Sequence, residues 1–314
     1  MRVAITGVAG YLGRLLLERL EADSAIQTLV GFDLAAPPGA GTKLEFHRLD
    51  VRDGDFSAHL RAVDALFHLA FVVTPRRGLS AEQTRAINVD GSRRLFDAAL
   101  DCGVPRIVFA SSLAVYGFHP DNPLRMTEDH PLRPNQDWYY SAHKGAVESL
   151  LDEVERRAPE TIVIRLRPAI LLGPTVDNLI SRGLERRVMV SSFGYSRDFV
   201  WDSDVVDACR LALDHPESAT FNLAAEGALS VERCAELLGR PVLKLDRRVA
   251  LFLARLCGFL RITPRGAVEW ILAAARGPLT LDSSRARNEL GWRPTRTAEQ
   301  ALLDFAKRGQ TPFP

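Results

Sequence analysis

The 314-residue chain carries a net charge of +1, with 46% hydrophobic and 25% charged residues. That length allows a large core, as one α/β domain or a domain with a smaller lobe, and the composition predicts a soluble globular protein. Near-neutral charge gives no support to nucleic-acid binding, and the pairs Arg76-Arg77, Arg186-Arg187 and Arg247-Arg248 read as solvated surface. Cys102, Cys209, Cys234 and Cys257 lie far apart without a C-x-x-C, as reduced thiols of a cytoplasmic protein do. No signal peptide is read before the first strand. The most apolar window, Val249 to Leu260, is interrupted by Arg255 and too short to span a bilayer. Neither a membrane nor a metal is expected as a partner.

The first apolar run, Val3-Ala4-Ile5-Thr6, ends in three glycines spaced three apart, Gly7, Gly10 and Gly13. Leu12, Leu15, Leu16 and Leu20 then follow at helical spacing. Strand, glycine turn and helix start in that order suit a dinucleotide. The glycines let the backbone through Ala9, Gly10, Tyr11 and Leu12 hug a pyrophosphate, and the helix N-terminus offers unpaired N–H groups and partial positive charge. The second strand, Thr28 to Phe32, ends at Asp33, twenty residues past Gly13. A carboxylate there accepts hydrogen bonds from the adenosine ribose and repels a 2′-phosphate. Leu34-Ala35-Ala36 holds no cation to receive one, so NAD is favoured over NADP.

Leu44 to Leu49 reads as a third strand closed by Asp50-Val51; Asp50 either faces the adenine edge or caps the next turn. The fourth, Ala65 to Ala70, is nearly all apolar, with His68 read as a satisfied core histidine and Leu69 and Ala70 at the ligand-binding end. A loop from Phe71 to Arg77 leads to a helix over roughly Ser80 to Cys102, with Ala86, Val89, Leu95, Ala98 and Ala99 as its apolar stripe. Asn88 is mildly unfavourable inside a helix, which points to a hydrogen-bonding duty. Gly103-Val104-Pro105 ends that helix, and a fifth strand, Arg106 to Ala110, leads to Ser111-Ser112. The alternation predicts an α/β protein, a Rossmann-type doubly wound parallel sheet with ligands at the C-terminal strand ends.

A polar, Pro-rich loop over 117–137 precedes a helix starting near Trp138 that carries Tyr140 and Lys144. Positions i and i+4 share a helical face. A phenol is a poor base near neutrality, and a neighbouring ammonium lowers its pKa and can hold the nicotinamide ribose. Ser112 can hydrogen-bond the substrate oxygen. Ser112, Tyr140 and Lys144 together can move a proton at a hydroxyl or carbonyl oxygen while NAD exchanges a hydride with the attached carbon.

With these residues the chain resembles the extended short-chain dehydrogenase/reductase family, its NAD-dependent epimerase/dehydratase group. The matching stretches include Thr6 to Gly13, Asp33, Phe67 to Ala70, Asn88 to Gly91, Ser111 to Gly117, Thr127-Glu128-Asp129, Tyr140 to Lys144, Arg167-Pro168 with Gly173-Pro174, Arg197 to Val200, and Leu281 to Arg287. The resemblance implies Tyr140 as acid/base, Lys144 as its pKa and ribose partner, and Ser112 as substrate partner. It further implies Asn88 as support for the site, the backbone after Pro168 near the nicotinamide, and a homodimer through the helices around 80–102 and 138–157.

Departures narrow the reading. Leu113-Ala114 stands where the group's 4,6-dehydratases carry Asp-Glu, which disfavours dehydration. The Asn that usually precedes the Gly-Pro turn is missing; Asn178 after the turn can substitute, and Trp201 replaces a usual His. Arg182, Arg186, Arg187 and Arg197 are the remaining candidates to grip a diphosphate.

Toward the C-terminus, Thr220 to Ala224 reads as a strand rejoining the sheet, and Ser230 caps a helix over Val231 to Leu238. Apolar helical segments over 249–276, broken at Pro264 and Gly266, read as lobe core or as a lid over a hydrophobic substrate. Asp282 or Ser283 starts a helix ended by Gly291 and Pro294, with Trp292 packing back. The expected organisation is an NAD-binding domain over 1–172 with a segment returning near 198–226, and a mostly helical substrate-binding lobe from 173–197 and 227–314. The function expected is reversible hydride transfer at a secondary alcohol or ketone carbon of a small molecule, as epimerase or dehydrogenase. The alternative is an NAD(H)-binding sensor without catalysis.

Overall fold

The computed structural model describes residues 1–39, 41–74, 78–263 and 265–308. Arg76-Arg77 and Pro264 lie outside the described residues. The chain opens with β1 (Arg2–Thr6), α1 (Tyr11–Glu21), β2 (Thr28–Asp33), β3 (Leu44–Arg48), the short α2 (Ser57–Leu60) and β4 (Ala65–His68). It continues through α3 (Ala81–Arg85), α4 (Gly91–Asp101), β5 (Arg106–Ala110), α5 (Tyr139–Arg157), β6 (Ile162–Pro168), β7 (Ile170–Leu172), α6 (Leu179–Leu184), β8 (Met189–Ser191), β9 (Phe199–Trp201), α7 (Asp202–Ala212) and β10 (Ala219–Leu223). The remainder is α8 (Val231–Leu237), β11 (Val242–Lys244), α9 (Arg247–Phe259), α10 (Arg265–Ala274), α11 (Ser284–Asn288) and α12 (Ala298–Lys307).

Seven strands form one parallel sheet in the order β10-β6-β5-β4-β1-β2-β3. The order reverses between β1 and β4, the crevice where doubly wound sheets bind ligands. Central strands are apolar on both faces because helices cover both: Val3, Ile5, Phe67 and Val108 bury into one core, and Ala4, Leu66, Ile107 and Phe109 into the other. A third core joins Leu172, Trp201, Leu229, Leu302 and Phe305 around two small parallel pairs, β7–β9 and β11–β8.

Several elements differ from expectation. The helix expected over 80–102 begins on a Ser80–Gln83 capping box but opens into a π turn over Ala86–Asp90 before closing as α4. Gly266 sits inside α10 rather than breaking it, and the turn between the two helices follows Leu260. No residue of α9 is buried, so this segment is not lobe core. The small pairs and α12, which starts on a Thr297–Gln300 capping box, are additions to the sequence reading. Trp292 does pack back: it is 1% exposed, and its indole N–H donates to the Asp204 carbonyl at 2.7 Å.

That indole ties the C-terminal segment to α7. Trp292→Ala should therefore cost about 3–5 kcal/mol in urea unfolding, the range for a buried aromatic. A loss below about 1 kcal/mol would show that the segment docks by other means.

Candidate active site

β1 hands the chain to α1 through a bend packed backbone against backbone. Gly7 adopts φ +72°, and a Cβ there would lie 2.7 Å from the Ala70 nitrogen. A Cβ on Gly13 would overlap the Gly7 carbonyl oxygen. Gly10 caps α1 without a side chain, which leaves the first-turn N–H groups facing the crevice without side-chain partners. Asp33, at the end of β2, accepts from the Ala9 nitrogen at 2.9 Å and the Leu34 nitrogen at 2.7 Å, so its carboxylate is fixed against the bend. Leu69 and Ala70 close the other side, donating to the Thr6 carbonyl and hydroxyl. A cradle with no room for Cβ, a helix N-terminus and an aimed carboxylate fit the pyrophosphate and ribose of NAD.

Two neighbours play narrower parts. The Asp50 carboxylate accepts from the Arg52 backbone and pairs with its guanidinium at 2.6 Å, which realises the turn-capping alternative. Val51 is buried against Gly91. The Tyr11 hydroxyl donates to Asp202, and burial with that carboxylate raises the phenol pKa.

The second cluster stands on β5 and α5. Ser112 caps the short turn Leu113–Tyr116, accepting from the Ala114 nitrogen at 3.2 Å, and its hydroxyl stands near enough to the half-buried Tyr140 to favour the phenolate. One turn along α5, the Lys144 ammonium donates to the Ala110 carbonyl at 2.5 Å and lies 3.8 Å above the Phe71 ring and 4.6 Å from Phe109. Burial pushes Lys144 down to about 7, with Glu148 opposing. Burial raises the Tyr140 phenol and Ser112 lowers it, and the Lys144 ammonium sits 5.9 Å from the ring centroid.

Another turn along, Glu148 takes the Ser111 hydroxyl and two bonds from Arg167, at 2.9 and 2.5 Å. Arg167 continues to the Tyr116 hydroxyl at 2.7 Å, and Tyr116 to Asn222 at 2.9 Å. This buried network knits β5, α5, β6 and β10. Sequence reasoning missed Glu148, although its i+4 spacing from Lys144 was a signal.

Asn88 sits in the π turn, fully buried, accepting from the Val72 nitrogen at 2.7 Å and donating to the Val72 carbonyl at 3.2 Å and His143 at 3.3 Å. His68 is bonded through both nitrogens, to Thr6 at 2.8 Å and Ser92 at 2.7 Å, and burial holds it neutral at about 3. Pro168 ends β6 on the same sheet edge. Asn178 instead caps α6, its carbonyl oxygen taken by the Ile180 and Ser181 nitrogens at 2.9 Å. Arg197 donates to the Ala274 carbonyl at 2.8 Å and stacks 4.8 Å from Phe118; burial pushes it down to about 10. Ser112, Tyr140, Lys144 and Asn88 thus meet around α5, while Asn178 and Arg197 have partners of their own.

Comparison with known proteins places the chain among NAD-dependent relatives. A curated D-erythronate dehydrogenase of Cupriavidus necator is 34% identical, over 96% of this chain and 92% of its own. A UDP-glucose 4-epimerase of Mycolicibacterium smegmatis is 32% identical, over 66% of this chain and 72% of its own. The solved structure of MoeE5 with UDP-glucose and NAD superposes with a TM-score of 0.76 at 26% identity, covering 99% of both chains. The model of the NAD dependent epimerase/dehydratase family matches residues 3–224, and the chain belongs to that family, with NAD as its cofactor.

Proposed function

We propose that this chain is a dehydrogenase that carries out net oxidation or reduction at a secondary carbinol carbon of a small hydroxy compound. One observation carries the reading: the Ser112 hydroxyl stands beside the Tyr140 phenol at the sheet's C-terminal edge, one helical turn from a buried Lys144 that donates to the Ala110 carbonyl. The bend from Gly7 to Gly13 would hold the pyrophosphate, Asp33 the adenosine ribose, and Lys144 the second ribose, with Val51, Leu69, Ala70 and Pro168 along the crevice. Bound NAD supplies the hydride acceptor or donor. Tyr140 takes the proton from the substrate hydroxyl, and Ser112 hydrogen-bonds the same oxygen and fixes its distance to the phenol. A protonated Lys144 on the same helical face favours the phenolate as that proton arrives. Asn88 holds the Val72 backbone and so the Phe71 ring over Lys144.

Three features favour a small substrate over a nucleotide sugar. Asn178 is spent on its cap, Arg182 is paired with Asp177 at 2.6 Å, and Arg197 is bonded to backbone. Leu113 and Ala114 are buried where a dehydratase pair would act. The likeness to the dehydrogenase also spans more of the chain than that to the epimerase. The division into an NAD-binding domain over 1–172, with its return near 198–226, and a substrate lobe is part of the same proposal.

A panel of hydroxy acids, free sugars, hydrophobic alcohols and sugar nucleotides should give NADH absorbance with a member of the first classes; turnover of a sugar nucleotide without NADH overturns the reading. Tyr140→Phe should lower kcat roughly 10²–10⁴-fold while NAD titrations stay unchanged; an active variant removes Tyr140 from the chemistry. Asp33→Ser should raise NADPH use relative to NADH, and a wild type that already prefers NADPH contradicts the ribose assignment.

Lys144 titrates near 7 in the fold, against 10.5 for an ordinary lysine. Between those values the unfolded chain holds the proton and the folded chain does not. Stability therefore rises with pH from about 7 to 10, by up to about 1.4 kcal/mol per unit. Lys144→Met removes that component, so urea midpoints of wild type and variant should diverge between pH 7 and 9 in favour of the wild type. Parallel profiles would mean that Lys144 is solvated.

A further inference from the structure

α9 is turned inside out. Ala250, Leu251, Ala254, Cys257 and Gly258 are its half-buried residues, and a Cβ at Gly258 would meet the Val268 side chain of α10 at 2.9 Å. Its large residues other than Leu251 point away: Val249, Phe252, Leu253, Leu256, Phe259 and Leu260 are exposed, Phe252 by 63% and Phe259 by 84%. At 100° per residue the small residues share one face, bordered by Leu251, and the exposed large ones the opposite face. A contiguous apolar surface of this kind marks an interaction site.

Along the helix and the turn after it the charge has one sign, bounded by Asp246 at the N-cap and by Glu269 at the cleft wall. No Asp or Glu occurs from Arg247 to Val268, while Arg247, Arg248, Arg255 and Arg261 are exposed and without ion pairs among the described residues. Arg261 even takes φ +57° at the end of α9, a left-handed position that usually goes to glycine. Arg255 and Arg261 flank a cleft of about 550 Å³ whose walls include Phe259 and Val268. Among the described residues no helix is long and apolar enough to cross a membrane. Exposed Phe and Leu bordered by unpaired arginine, on a helix too short to span, is the chemistry of a segment that lies in a bilayer interface.

We propose that α9 and the cleft beside it dock this chain on the surface of an anionic lipid bilayer, with Phe252, Phe259 and their neighbours entering the acyl boundary and the arginines meeting lipid phosphates. The expectation of no membrane partner concerns spanning; docking is a different demand. The helix pair is tethered to the end of α5 that carries Tyr140, through Glu269, which accepts from the Tyr139 nitrogen at 3.2 Å. The proposal stands apart from the dehydrogenase reading.

The test is cosedimentation of the full chain with phosphatidylcholine vesicles, with and without phosphatidylserine. Binding should require phosphatidylserine and weaken as salt rises. Arg248→Gln with Arg255→Gln should lower partitioning about 25-fold, at roughly fivefold per arginine. Phe252→Ser with Phe259→Ser should lower it by at least about tenfold. Both variants should keep the wild-type melting midpoint and NAD affinity. Absent binding, equal recovery on neutral vesicles, or unchanged binding by both variants overturns the proposal. So does concentration-dependent self-association lost in the Phe variant, which would assign this face to a second copy of the chain.

Discussion

The close approach of backbone at the β1–α1 bend sets everything on the sheet's C-terminal edge. Gly7 lies against Leu69 and Ala70, and Gly13 against Gly7, so a Cβ on Gly7 would push the bend off the end of β4 and one on Gly13 would push α1 off the bend. The register fixed there is passed on by side chains. Thr6 bonds His68, His68 bonds Ser92, and Ser92 donates to the Asn88 carbonyl at 2.7 Å. Asn88 then clamps Val72, which lays Phe71 over the Lys144 ammonium and edge-on to Tyr140 at 5.7 Å. The glycine bend and the Ser112–Tyr140 pair, on different elements, are thereby joined by one chain of packed contacts, the preorganisation that the proposed chemistry requires.

Lys144 is the costly member of that piece. An ammonium under aromatic rings loses most of its hydration, and one carbonyl bond does not replace it. Glu148 would be its natural counter-ion, yet the carboxylate is already engaged by Arg167 and Ser111. The lysine is thus left titrating near neutrality. The buried Arg167–Glu148 pair is better understood as fixing how β6 and α5 meet than as a source of stability, since desolvation offsets its Coulomb gain.

What could be read from the sequence divides along a physical line. Apolar strands alternating with helices, glycines spaced three apart, and Tyr140 four residues before Lys144 are local patterns, and local patterns survive in a one-dimensional text. Competition for a hydrogen bond does not. Asp50 and Asn178 are polar residues near a turn in sequence terms, and only the folded backbone shows that nearby N–H groups have claimed them. The π turn is similar: Asn88 announced a duty, but the extra residue that rotates it toward Val72 leaves no mark on the apolar stripe.

α9 makes the same point for packing. Periodicity identifies which residues share a face but is silent on which face the protein covers. The decision is made by α10, where Val268 against Gly258 permits an approach so close that only small residues fit between the two helices. Close packing on the small face forces the large residues other than Leu251 outward, and the lack of carboxylates between Arg247 and Val268 leaves that outward face cationic. An exposed apolar face is unfavourable in water unless something covers it, and here the charges along its border select a partner that is both apolar and anionic.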